Sequence, residues 1–142
     1  MHIDDITGII VDAAVKLHMR LGPGLLESVY QSLLRMQLER RGLAVERHKT
    51  IGFELDGLRF ERGLRVDLLV EGVVVVELKS VETLAPVHRK QLLTYLRLLN
   101  LPVGLLINFG AATLKEGLQR VVNNYTPPRL REPPRLRVNR SE

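Results

Sequence analysis

The sequence predicts an α/β protein of the α+β kind: a mixed β-sheet flanked by helices, in the order α-α-β-β-β-α-β. Three observations carry that expectation. Apolar residues recur at helical spacing up to Arg41; they then crowd into short runs punctuated by Asp56-Gly57 and Glu71-Gly72; and helical spacing returns before a last apolar run, LPVGLLINFG.

The first helix is expected over Ile3 to Met19, where Ile6, Ile9, Ile10, Ala13, Ala14 and Leu17 share one face. Asp4 or Asp5 can cap its start, and Gly22-Pro23-Gly24 stops it. The second runs from Leu25 to Arg41 on Leu26, Val29, Leu33, Leu34 and Leu38, with Gly42 just past its end. From Ala44 the pattern loosely alternates, and the Asp-Gly and Glu-Gly turns fold it into a meander of three or four antiparallel strands. Thr83 to Asn100 returns to helix, with Pro86 in its first turn and Leu92, Leu93, Leu96 and Leu99 as its apolar face. LPVGLLINFG follows as a buried strand, which after a helical crossover should pair in parallel with a neighbour. The closing LKEGLQRVVNN fits a short strand or a short helix.

At 142 residues, 45% of them hydrophobic, the chain suits one domain with a real core. It has no cysteine, which excludes disulfides and thiolate metal sites. Its opening, MHIDDITGII, lacks a basic-then-apolar leader pattern, and no apolar run approaches the roughly 20 residues of a membrane span. A cytoplasmic protein with no membrane partner is the expectation. Residues 126–142 hold five arginines, four prolines and two glutamates, a composition that cannot build a packed core. The expected organisation is therefore a domain over 1–125 and an Arg/Pro-rich basic tail over 126–142, extended or disordered. The net charge of +5 suits an anionic partner such as nucleic acid, and equally suits ordinary solubilising charge.

Within this frame, the stretch VVVVELKS is anomalous: a run of valines that reads as core strand ends in Glu77 and Lys79. Two apart on a strand, these side chains project from one face, and charge beside a buried run is costly unless it is paired or binds an ion. Asp67, in RVDLLV, precedes Glu77 by one tight turn, so an antiparallel pairing brings the two carboxylates together. Adjacent carboxylates repel and raise each other's pKa unless a cation sits between them. Oxygen ligands point to a hard ion, Mg²⁺ or Mn²⁺, and a neighbouring lysine can stabilise a phosphoryl transition state. The plain alternatives are a surface Glu77–Lys79 pair and an Asp67 that caps a turn or pairs with Arg65. Gln91 and Tyr95 are i,i+4 on the next helix, with His88 on the same stripe. His2, His18 and His48 show no zinc spacing and read as structural or surface. Arg20, Arg59, Arg65, Arg89 and Arg120 are candidate phosphate contacts, none singled out by spacing.

RVDLLV and VVVVELKS, followed by QLLTY, resemble the PD-(D/E)XK nuclease superfamily. Gly24-Leu25-Leu26-Glu27-Ser28-Val29-Tyr30 fits the G-x-x-E-x-x-Y signature of the GxxExxY family within it. The resemblance runs from about residue 5 to about 123. It implies a restriction-endonuclease-like core and a Mg²⁺- or Mn²⁺-dependent nuclease acting on DNA, ahead of RNA. The implied metal ligands are Glu27, Asp67, Glu77 and the backbone carbonyl of Leu78. Lys79 would be the catalytic lysine, working with Asp67 and Glu77, while Gln91 and Tyr95 match the Q-x-x-x-Y pattern of the following helix. The superfamily's nominal proline before the aspartate is Val66 here. A small nuclease reaches both strands most simply as a homodimer. The competing expectation is a non-catalytic nucleic-acid- or protein-binding module that keeps the fold.

Overall fold

The structure, a computed structural model, describes residues 1–125; the Arg/Pro-rich tail expected over 126–142 lies outside the described residues. Two helices come first, α1 (Ile3–Leu21) and α2 (Glu27–Arg40), followed by β1 (Val45–Leu55), β2 (Leu58–Val70) and β3 (Val74–Lys79). Then come α3 (Pro86–Leu99), β4 (Val103–Asn108), a single-turn α4 (Leu114–Gly117) and β5 (Leu118–Val122). The ambiguous closing segment thus holds both a short helix and a strand, because Thr113 caps one turn before the chain extends against β4.

Local chemistry explains most boundaries. α1 starts at His2 as its cap, where Asp5 accepts the His2 N–H at 3.2 Å; Asp4 instead pairs with Arg120. Pro86 occupies the first turn of α3, where the missing N–H costs no helical bond. His88, expected on the Gln91–Tyr95 stripe, caps this helix: its Nδ1 accepts the Ala85 N–H at 3.1 Å. Asp56 and Gly57 both have positive φ (51° and 81°), as do Glu71 and Gly72 (54° and 67°), the backbone twist that returns a strand on its neighbour.

The five strands lie in the order β1-β2-β3-β4-β5. β1, β2 and β3 form the antiparallel meander, β4 joins β3 in parallel after the α3 crossover, and β5 closes antiparallel on β4. On one face Val74, Val76, Leu78, Leu105 and Ile107 pack against Ile6, Ile10, Leu17, Tyr30, Leu34 and Leu38 of α1 and α2. On the other, Val75, Leu106 and Val121 pack against Leu92 and Leu96 of α3. β3 is therefore covered on both faces, which is why its sequence is continuous valine instead of an alternation.

Face assignment along β2 breaks once. Leu64 and Val66 belong to the α3 side, whereas Leu68 and Val70, of the same parity, belong to the α1–α2 side. The switch falls at Asp67.

Candidate active site

Asp67 sits where two ladders fail together. The β2–β3 ladder runs Val70↔Val74, Leu69↔Val75, Leu68↔Val76 and stops one step short of Asp67 and Glu77. The β1–β2 ladder passes from Arg47↔Leu68 to Lys49↔Val66, skipping His48 opposite Asp67. The strands diverge there, and side chains take over the backbone's hydrogen bonds. Glu77 Oε2 accepts the Asp67 N–H at 2.8 Å, and Asp67 Oδ2 accepts the Leu78 N–H at 2.8 Å. Each carboxylate thus spends one oxygen on the opposing strand.

This interlock holds two acids in close quarters with little water. Glu77 is 8% exposed. Burial pushes its pKa up to about 8, with the neighbouring Asp67 adding to the rise. Asp67 is also raised, chiefly by burial, against the pull of the Leu78 N–H and the Lys79 ammonium. Lys79, two residues along the α3-side face of β3, attracts both carboxylates toward their charged forms. The plain alternative for Asp67, a pair with Arg65, is not what forms.

The remaining candidates converge on this pair to different degrees. Tyr95 of α3 has its hydroxyl pKa raised by burial and then by the charge of Glu77, and Gln91 Nε2 donates to Tyr95 Oη at 3.1 Å. Glu27, in the first turn of α2, is near enough that its charge raises both Asp67 and Glu77. Among the described residues, no group of three or more His, Cys, Asp or Glu that could hold a metal ion is found. Beneath Glu27, Tyr30 is fully buried and stacks on Phe109 at 4.4 Å, while its hydroxyl donates to Gly22 O at 2.6 Å and accepts the Leu25 N–H at 3.2 Å. Ser80 Oγ, next to Lys79, donates to Leu25 O at 2.6 Å and so ties the end of β3 to the loop that starts α2.

Several residues here carried no sequence signal. His48, expected to be structural or surface, lies across β2 from Glu77 and lowers the Asp67 pKa by its charge. Asn108, at the end of β4, is 2% exposed; its amide clamps Val81 N–H and C=O (3.0 and 2.8 Å) and the Gly110 N–H (3.0 Å), fixing the chain that leaves Lys79. His18 is buried, with Nε2 within 3.2 Å of Phe109 O and 3.0 Å of Ala111 O. Of the candidate phosphate contacts, Arg120 is committed to Asp4 and Thr7, and Arg59 to Glu61.

A family model described as the PD-(D/E)XK nuclease superfamily matches residues 4–121. The chain belongs to the PD-(D/E)XK nuclease superfamily. Its five-stranded mixed sheet with flanking helices is the restriction-endonuclease-like arrangement. Neither the curated proteins nor the solved structures contain a match. Membership points to nuclease-like chemistry on nucleic acid, and PD-(D/E)XK nucleases generally use divalent metals. No helix among the described residues is long and apolar enough to cross a membrane.

The donor set suits such a cation. Asp67 and Glu77 offer hard carboxylate oxygens on one site, and their mutual repulsion and burial are what a divalent charge would relieve. Mg²⁺ is commonly held by one or two carboxylates, with water and substrate phosphate completing the shell, so a two-carboxylate site is sufficient.

Proposed function

We propose that this chain is a Mg²⁺- or Mn²⁺-dependent nuclease of the GxxExxY kind that hydrolyses phosphodiester bonds in DNA, with RNA as the second candidate. The observation that carries the reading is the Asp67–Glu77 interlock at the point where β2 and β3 part, with Lys79 on the same face of β3. Asp67 and Glu77 would hold the ion, with the Leu78 carbonyl beside them and Glu27 approaching from α2. A divalent cation there supplies neutralising charge at the scissile phosphate and lowers the pKa of the attacking water. Lys79 would orient that water and offset the negative charge that develops on the phosphoryl oxygens. Gln91 and Tyr95, joined by their own hydrogen bond, would hold the substrate or the lysine in line. The domain over 1–125 would carry this chemistry in the cytoplasm, with 126–142 as a basic arm and a second copy serving the opposite strand.

Purified protein with Mg²⁺ or Mn²⁺ should cleave DNA, tested beside RNA, and Asp67→Ala or Lys79→Ala should all but abolish cleavage, a loss of about a hundred- to a thousand-fold. Activity that survives both substitutions sinks the mechanism. The lack, among the described residues, of a group of three or more metal-capable side chains favours a second reading, a binding module that keeps the fold without cutting. Nucleic-acid binding that is unaltered by Lys79→Ala, with no cleavage of any substrate, would support that reading instead.

A further inference from the structure

His48 is a bulky residue in the middle of a strand with φ of +52°, a conformation that costs a non-glycine residue about 1 kcal/mol or more. It persists because its surroundings hold it. Nε2 lies 2.7 Å from Oε1 of Gln31, and since that oxygen only accepts, Nε2 carries the proton and donates. Gln31 is 5% exposed, and its Oε1 also accepts from Arg47 Nε at 3.2 Å. Arg47 continues the strap, donating to Ser32 Oγ at 2.8 Å and to Ser28 O at 3.2 Å. All three anchor points lie in the first two turns of α2, and Gln31 is four residues on from Glu27, on the same helix face.

We propose that His48 is a positioning residue: through Gln31 it sets how closely Glu27 of α2 approaches the Asp67–Glu77 pair. This rests on the metal-dependent reading of that pair. The unpaired step in the β1–β2 ladder is the structural cost of the arrangement. An ordinary extended residue at position 48 would continue the ladder to Asp67, and its side chain would not meet Gln31 as the left-handed one does. With Ser80 pinning the loop before α2 from the β3 side, the strap pins the helix from the β1 side, and Glu27 stands between the two anchors. Groups that orient a metal's ligands typically change affinity about 10- to 100-fold when removed.

The backbone conformation supplies a clean test. His48→Gly removes the imidazole and also the left-handed strain, so folding should survive with a melting temperature close to that of the parent. His48→Gln carries an amide Nε2–H at about the same reach from the backbone as the imidazole Nε2, so it can restore the hydrogen bond to Gln31. Mn²⁺ affinity of the full chain, measured by titration calorimetry, should fall about tenfold or more in His48→Gly and in Gln31→Leu, and recover in His48→Gln. Wild-type affinity in a folded His48→Gly overturns this inference and leaves the metal reading standing. Absence of Mn²⁺ binding by the wild-type chain overturns the metal reading itself, and this inference falls with it.

Discussion

Replacing Glu77 by glutamine isolates the electrostatic cost stored in the carboxylate pair. In the folded, metal-free chain Glu77 keeps its proton up to a pH of about 8, whereas unfolded it releases that proton near 4.5. The folded state therefore binds more protons throughout that window, and stability falls as pH rises across it. The displacement from 4.5 to about 8, at about 1.4 kcal/mol per pH unit, sets a ceiling of roughly 5 kcal/mol on the loss. Asp67, raised as well, adds in the same direction. Glutamine at 77 does not titrate: its carbonyl can accept the Asp67 N–H, and its amide can donate to the Asp67 carboxylate. Urea unfolding of both proteins in a chelator, followed by circular dichroism from pH 4.5 to 9, gives a difference curve from which groups common to both cancel. The variant should be about equal in stability at pH 4.5 and more stable by about 3–5 kcal/mol at pH 8.5. Added Mn²⁺ at pH 8.5 should raise the stability of the wild type and have much less effect on the variant. A difference curve that is flat, or that favours the wild type as pH rises, refutes the assignment of a protonated Glu77.

Asn108→Ala should cost about 2–4 kcal/mol in urea unfolding, because two amide N–H groups and one carbonyl lose a nearly buried partner at once. Tyr30→Phe keeps the stack on Phe109 but frees the loop before α2; about 1–2 kcal/mol of stability should go, and hydrogen exchange should quicken at the Leu25 amide. An unchanged Leu25 exchange rate would show that the hydroxyl does not hold the loop.

The Asp67–Glu77 pair was legible because it needs only local rules. A tight turn at Glu71-Gly72 folds β3 back on β2 and brings Asp67 and Glu77 to the same end of the pair; they stand opposite each other because Val73 also lies in the turn, so that Val70 pairs with Val74. Strand parity then puts Glu77 and Lys79 on one face. What these rules could not show is that the ladder opens at this step and that each carboxylate replaces a backbone acceptor. That outcome depends on β2 exchanging faces between Val66 and Leu68, which is decided by how two separate cores divide the strand. The pairing of Arg120 was hidden for a similar reason: its partner Asp4 is distant in sequence and adjacent only in the fold.

By itself, then, the sequence determined the elements and the strand ends that carry Asp67, Glu77 and Lys79. Periodicity, turn residues and a proline in the first turn of α3 act within a few residues of themselves. The place of His48 was decided only by tertiary structure. A plain count from the Asp56-Gly57 turn, as in Leu55↔Leu58 and Phe53↔Phe60, would set His48 opposite Arg65. An irregularity between Ile51 and Phe53 shifts the register so that Ile51 meets Leu64 and His48 faces Asp67. That shift accompanies the Phe53 ring lying over Gly63, where an added Cβ would meet the ring at 2.1 Å. The approach of Glu27 is likewise a matter of how α2 packs on β1, held by Gln31, Arg47 and His48 across 16 and 17 residues of chain. Contacts of that range depend on the whole core, and no short stretch of sequence contains them.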